Sequence, residues 1–504
     1  MTTEYLKAVA DTNEWWAIAP ELLLACSALA LLVLEIVLPK AQHRFIPRFA
    51  LVTQATIFVL LVAGLYSGYE GYVTFGGLLQ HSPAGHIARV YFMLSSLLVS
   101  FLAGICLPRT KMPRVEFYHI LMVVTAALML LAQSNHFVMF FVALETVTIG
   151  FYILVAYYRD SALSLEAGLK YLVLGALSSA IMLFGIVLLY GAVGRVEVNG
   201  VVHTGFEFGV VADFLHRNPD NFLATAGALL VLGGVAFKIG AFPFQIWIPD
   251  VYQGAPTPVT AFLAVSSKAA GFAVMLTLVL NVFFPLEGVL VPVLSLLAAA
   301  TIIFGNLSAL KQCNTKRLMG LSGVSHAGYL LLGVIAAFTV PWASGAVWFY
   351  LFTYLLASMA VFGVMAYVGG PDDAGQELEH YEKLARNRPF LGGILAVGVG
   401  SLAGIPPLAG FMGKLLLFIA AFEAHLYGLL AVAVGGVIVS IYYYFGWIKA
   451  AFFEAWTPTA SAETPAPVSA PVPWVGVVTL SALALATVVL GFYQEPLTAW
   501  LQLK

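Results

Sequence analysis

The sequence predicts an all-α, polytopic membrane protein with about fourteen transmembrane helices, two of them broken. Three observations carry this reading. Of 504 residues, 61% are hydrophobic and only 10% charged, too little charge for the surface of a soluble chain of this length. Apolar runs of about 20 residues, the length that crosses a bilayer core as helix, recur from end to end. Two of these runs are interrupted by proline: FKIGAFPFQIWIPDVYQGAPTPVTAFLAVSSKAAGF, from Phe237 to Phe272, and GIPPLAGFMGKLLLF, from Gly404 to Phe418.

In chain order, the first four spans are expected near Trp16–Leu38, Ile46–Gly68, Arg89–Leu107 and Val115–Gln133. The fifth, His136–Tyr158, carries Glu145 near its centre, and the sixth, Leu165–Gly191, carries Lys170 in its first turns. A polar loop runs to about Asn221. The seventh span starts near Phe222, passes Lys238 and breaks at Pro243, Pro249, Pro256 and Pro258, because proline lacks the amide donor and clashes with the preceding turn. The eighth, Val259–Phe284, carries Lys268. The ninth to eleventh lie near Gly288–Leu310, Arg317–Phe338 and Ala343–Val368. The twelfth, Phe390–Ala421, is interrupted at Gly404–Pro407 and carries Lys414; the last two are Leu426–Phe453 and Trp474–Phe492.

The whole of 1–504 reads as one transmembrane domain. Within it, 115–284 and 288–453 each hold five spans with the break in the fourth. Five is odd, so two such units enter the membrane from opposite faces, the arithmetic of an inverted repeat. The segment Pro371–Arg388 is highly charged and reads as solvated. The segment 454–473 is rich in Ala, Pro, Thr and Ser and reads as a flexible linker.

Orientation follows from Lys and Arg in the connections. The odd-to-even turns hold Lys40, Arg44, Arg48, Arg109, Lys111, Arg114, Arg159, Lys311, Lys316, Arg317, Lys383, Arg386, Arg388 and Lys449. The opposite side, with both tails, holds Lys7, Arg89, Arg195, Arg217 and Lys504. Both termini are therefore expected outside the cytoplasm. No basic region precedes the first apolar run, so that run is expected to stay as a span. Cys26, Cys106 and Cys313 have no paired spacing, which argues against a metal or cluster site. No Rossmann fingerprint or P-loop is present, and no basic patch could hold nucleic acid.

The remaining basic residues, Lys170, Lys238, Lys268 and Lys414, fall inside spans. A charge at bilayer depth costs several kcal/mol unless paired or hydrated, and beside irregular backbone it marks an ion path. Glu145 is read as the titrating partner of Lys238, against a neutral, hydrogen-bonded acid or a purely structural salt bridge. Lys268, in VSSKAAGF, sits among small residues that let helices approach and water enter. Lys170 is shallower and can snorkel to the surface. His326 in GLSGVSHAGYLLLG is either a relay or a satisfied core histidine. Asp250 and Gln245 are expected to cap the free backbone at the break, and Tyr442, Tyr443 and Tyr444 to pack or form an interfacial belt.

The segments PDVYQGAPTPVTAF with SKAAGF, LKYLVLGALSSAIMLFGIVLLYG and GIPPLAGFMGKLLLF together resemble the subunit N family of proton-pumping NADH-quinone oxidoreductase, respiratory complex I. The resemblance runs from the first span to the thirteenth. It implies fourteen helices, two inverted five-helix repeats related to cation/proton antiporters, and one proton channel in the membrane arm of a bacterial inner-membrane complex. The family's charged positions fall on Glu145, Lys238, Lys268 and Lys414. The resemblance further implies that NADH, FMN, iron–sulfur clusters and quinone belong to other subunits, and that the neighbours are antiporter-like subunit M, the small subunits K and J, and lipid. Lysine at 414 argues against subunit M, and the absence of a long lateral carboxyl-terminal helix against subunit L. Gln245 departs from the histidine of many relatives. An Mrp-type antiporter subunit and an inert spacer of the membrane arm are the alternatives.

Overall fold

A computed structural model describes residues 10–39, 45–65, 71–110, 112–198, 201–370, 373, 375–453 and 472–501. Lys7, Lys40, Arg44, Lys111, Lys504 and nearly all of the 454–473 linker lie outside the described residues. Among the described residues, twelve helices are long and apolar enough to cross a membrane, and with the shorter apolar helices Val115–Leu131 and Pro389–Ala403 they follow the order expected for fourteen spans. They are α1 (Ala19–Val37), α2 (Ile46–Gly64), α3 (Pro83–Cys106), α4 (Val115–Leu131), α5 (Phe137–Val155), α6 (Ala162–Val193), the broken α7 (Phe222–Ile239, then Ile248–Gly254) and α8 (Thr257–Val282). The second set comprises α9 (Glu287–Ala309), α10 (Thr315–Ala336), α11 (Ala343–Val368), the broken α12 (Pro389–Ala403, then Ala409–Glu423), α13 (Tyr427–Phe452) and α14 (Trp474–Phe492).

Local chemistry sets the ends. Ser82, Ser161, Asn221 and Asn314 cap α3, α6, α7 and α10 by accepting hydrogen bonds from first-turn amides, which satisfies donors that have no intrahelical partner. The two breaks begin alike. Gly240 (φ 72°) and Gly404 (φ 85°) end their half-helices in the left-handed region, and the amide of the next residue reaches back five positions: Ala241 N to Ala236 O, Ile405 N to Gly400 O. That is the Schellman stop, which favours glycine. Pro249 and Pro258 do not interrupt helices. Each occupies a first turn, of the second half of α7 and of α8, where the missing amide costs nothing.

The loop expected between α6 and α7 is more ordered than the sequence suggested. It folds into the hairpin β3–β4 (Arg195–Val198, Val201–Thr204) and a ten-residue helix, Phe208–Arg217. Phe208, Val211 and Leu215 form its buried stripe at helical spacing. A second hairpin, β1–β2 (Tyr72–Thr74, Leu79–His81), precedes α3.

Helices α8, α10 and α11 form the centre. The most apolar stretch of α10 is wholly buried, and those of α8 and α11 nearly so, while α1, α2 and α14 bury less than a third of theirs. The outer helices present Leu, Val and Ile outward, as a lipid-facing surface does.

Two basic residues leave the connections assigned to them. Arg89 is buried one and a half turns into α3, paired with Glu21 of α1 at 2.6 Å, and the other Glu21 oxygen accepts from Gln133 Nε2 at 2.9 Å. Lys316 is buried in the first turn of α10, donating to Ala255 O at 2.9 Å and to Asp373 at 2.5 Å. Asp373 also accepts from the Thr257 amide and hydroxyl. The segment before α12 is thus docked onto the ends of α8 and α10, not merely solvated. A buried charge demands a close partner, and here a docked loop supplies it.

Gly410 starts the second half of α12, where a Cβ would fall 2.0 Å from the Ser401 carbonyl oxygen. Gly428, near the start of α13, has open space around it. Gly410→Ala is expected to destabilise by about 1–3 kcal/mol and Gly428→Ala to be close to neutral, measured as thermal inactivation of the assembled complex. Equal midpoints for the two variants would contradict this packing.

His81 is buried against Tyr72 and lies 3.1 Å from Thr74 Oγ1. Burial, then the Arg89 charge, lower its pKa from 6.5 to about 4. Neutral His81 therefore stabilises the hairpin fully above pH 6.5, and that contribution is lost as pH falls toward 4. Hydrogen-exchange protection of residues 72–81 is expected to decline over that window and to lose much of this pH dependence in His81→Gln.

Candidate functional site

Lys238, Lys268, Lys414 and His326 are 6, 4, 4 and 2% exposed. Each is placed by a helix irregularity or by a wholly buried helix. Lys238 lies in the last turn of the first half of α7, beside the Gly240 stop. Its Nζ donates to Thr148 Oγ1 of α5 at 2.6 Å. A small cavity of about 10 Å³ adjoins it, lined by Thr148, Tyr171, Ser267 and Lys238 itself. That is about the space one water needs, and several polar groups surround it.

Ser267 ends a π-helical turn, Leu263–Ser267, within α8, and Lys268 follows directly. Such turns insert a residue and re-aim the side chains after them. Lys268 Nζ donates to Gly323 O of α10 at 2.5 Å and lies 3.4 Å from the Tyr354 hydroxyl and 4.8 Å from that ring's centroid. A carbonyl and an aromatic face both favour an ammonium. The π turn is itself held from α3: Ser95 Oγ meets Ser266 Oγ at 2.6 Å, and the Tyr91 hydroxyl donates to Val265 O at 3.3 Å.

His326 of α10 stands between the second and third lysines. Its ring lies 5.0 Å from that of Tyr354 and 6.0 Å from that of Tyr329. Nδ1 is 2.5 Å from the Tyr350 hydroxyl and Nε2 3.0 Å from the Tyr444 hydroxyl. Lys414 Nζ is 5.5 Å from the Tyr329 centroid and donates to Leu402 O and Ala403 O at 2.9 and 3.0 Å. These carbonyls end the first half of α12, where unpaired acceptors and the helix dipole favour a cation. The structure therefore brings Lys238, Lys268, His326 and Lys414 into one polar line through the buried centre.

Glu145 stands apart from this line. It is only half-buried on α5 and accepts from Ser179 Oγ of α6 at 2.5 Å. Among the described residues no ion pair joins it to Lys238, whose bond goes to Thr148 one turn along. Asp250 and Gln245 also differ from expectation. Asp250 does not cap the break; it bridges Lys170 of α6 (2.7 Å) and Arg317 of α10 (2.8 Å). Lys170 thus snorkels into an ion-pair cluster that includes Glu166. Gln245 is buried, with its Oε1 lacking a hydrogen-bond partner among the described residues. Of the three tyrosines, Tyr442 is exposed, whereas Tyr443 donates to Asn306 and Tyr444 reaches His326.

Sequence reasoning missed Thr148, Tyr350 and Tyr354. Thr148 was findable, three residues after Glu145 and hence on nearly the same helical face. The tyrosines gave no signal, because Tyr is ordinary in apolar helices.

Residues 134–440 match the family model described as the transmembrane part of NADH:quinone oxidoreductase and Mrp antiporters. NADH-quinone oxidoreductase subunit N 1 of Opitutus terrae is 61% identical, over 99% of both chains. The subunit N 1 of Rhizobium meliloti is 35% identical over 86% of this chain and 88% of its own. A chain of respiratory complex I from Thermus thermophilus with bound aureothin superposes with a TM-score of 0.76 at 31% identity, covering 94% of this chain and 97% of that one. A chain of the Mrp complex from Dietzia sp. shares the fold, with a TM-score of 0.79 at 20% identity over 97% and 96%. By sequence along its whole length, the chain belongs to the family of NADH-quinone oxidoreductase subunit N.

Proposed function

We propose that this chain translocates protons in the membrane arm of NADH-quinone oxidoreductase, through Lys238, Lys268, His326 and Lys414. The observation that carries the reading is the burial of three lysines and a histidine at the centre of the bundle, with polar and aromatic neighbours beside each. Thr148 and Ser267 line the water-sized cavity beside Lys238, Tyr354 lies between Lys268 and His326, and Tyr329 between His326 and Lys414. Protons enter from the basic side near Lys238, pass Lys268 and His326, and reach Lys414. Both termini lie on the opposite side of a bacterial inner membrane.

Glu145 acts from the flank. Half-buried at bilayer depth and bonded to Ser179 of α6, it also faces the α5–α6 surface, where a neighbouring membrane-arm subunit would add a further contact. Subunits M, K and J are the partners expected from the family, with the nucleotide, flavin, clusters and quinone held elsewhere in the complex. The repeats 115–284 and 288–453 gain support from the shared Schellman stop at their breaks. The likeness to the Mrp chain carries the fold and no transport chemistry.

Lys238→Met or Lys414→Met in the assembled complex is expected to cut proton pumping and quinone reduction together by about tenfold, the effect of a barrier raised by only ~1.4 kcal/mol. Pumping at the parental rate in either variant would remove it from the path.

Thr148→Val deprives Lys238 of its acceptor while keeping shape, and an unpaired buried donor costs about 1–3 kcal/mol. Pumping should fall with the complex intact, and Thr148→Ser should restore it. Loss in both variants alike would mark Thr148 as a packing residue only.

A further inference from the structure

On the face that carries the C-terminal helix Glu495–Trp500, a cavity of about 250 Å³ opens between the ends of α3, α4, α8 and α11. It has room for several waters, at about 30 Å³ each. Ser82, Thr277, Asn281 and Ser344 give its lining polar character, and Ala273 and Trp348 also line it. It lies on the opposite side from the Lys316–Asp373 and Asp250 clusters, since α8 runs from Thr257 beside Asp373 to Asn281 at this cavity.

Ala273 follows Lys268 by five residues on α8, roughly 8 Å along a helix axis at about 1.5 Å per residue. A small aromatic plug joins the cavity wall to the turn before the lysine. The Tyr91 ring lies 6.0 Å from that of Trp348 and 5.1 Å from that of Phe352. The Tyr91 hydroxyl is tied to Val265 O in the π turn that aims Lys268. On the lysine side the Tyr354 hydroxyl is already 3.4 Å from Nζ. One plug residue thus touches both the cavity wall and the backbone turn that positions the lysine.

We propose that this cavity is a proton outlet for Lys268, so that the chain releases protons on its tail side in addition to passing them toward Lys414. When the plug opens, water from the cavity reaches Lys268; an N–H bond of the ammonium breaks, an O–H bond forms on that water, and the resulting hydronium passes its proton along the cavity water to the outer face. The neutral amine regains a proton from Lys238 through the water-sized cavity at Ser267. The plug closes the outlet while Tyr91 holds Val265. The inference rests on the reading that Lys268 carries protons.

The test uses the assembled complex in vesicles with the tail side outward. Cys26 and Cys313 are exposed and Cys106 is buried, so the first two are replaced by serine. Thr277→Cys, and separately Ser344→Cys on the opposite wall, are treated with a membrane-impermeant trimethylammonium methanethiosulfonate. Each variant is compared with itself before and after labelling. The expected result is labelling from the tail side and a fall in pumping of about twofold or more. Complete labelling with unchanged pumping overturns the outlet, as does failure of both cysteines to react from that side. Lys268→Met is run alongside. If it leaves pumping intact, the central path itself fails; if it abolishes pumping while labelling has no effect, only the outlet fails.

Discussion

Water is absent from the bilayer core, so every backbone group freed by a helix break and every buried ammonium must find its partner inside the protein. These two needs answer each other in this fold. The first half of α12 ends in unpaired carbonyls, and Lys414 takes two of them, Leu402 O and Ala403 O. Lys268 follows a π turn and takes Gly323 O. At α12 the irregularity that would be a fault in a simple membrane span becomes the binding place of a charge. That charge in turn makes the irregularity tolerable.

The same constraint explains the ends of the bundle. Lys316, Arg317, Asp250, Asp373 and Lys170 form ion pairs that tie α6, α7, α8 and α10 to the segment before α12. Exposed pairs of this sort are worth little each. The Lys316–Asp373 pair is different, because Lys316 is buried and removing Asp373 would leave its charge unpaired, a cost of about 3–5 kcal/mol. Rigidity at this end leaves the line of lysines fixed in place, with its small cavity and its hydroxyls as the parts free to rearrange.

The number and order of spans, both breaks and all three central lysines were legible, because proline, glycine and charge stand out against an apolar background. His326 was legible as a residue and undecided as to role; its two tyrosine partners lie on α11 and α13, far away in sequence. Hydroxyl partners such as Ser95 were silent, since Ser and Thr bond their own helix backbone as readily as a neighbour. Arg89 was placed in a connection only because α3 was started too late. The Ser82–Pro83 pair, a capping residue followed by proline at the first helical position, marks the true start. Glu145 was legible in depth, whereas its bond to Ser179 was not. Periodicity gives a residue's depth, but only packing says whether its side of the helix meets the core or the outside.

The lysines of the two broken helices look mismatched in sequence, Lys238 preceding its break and Lys414 following its own. In space the mismatch largely disappears. Lys238 sits in the last turn before the Gly240 stop. Lys414 starts from the half-helix after the Gly404 stop and reaches back to the last carbonyls before it. Both ammonium groups thus stand at the carboxyl end of the first half-helix, where the dipole favours a cation. They differ in their partners: one hydroxyl for Lys238, two carbonyls for Lys414. Helix ends thus place both charges, and different neighbours complete their shells: α5 for Lys238, the half-helix's own last carbonyls for Lys414.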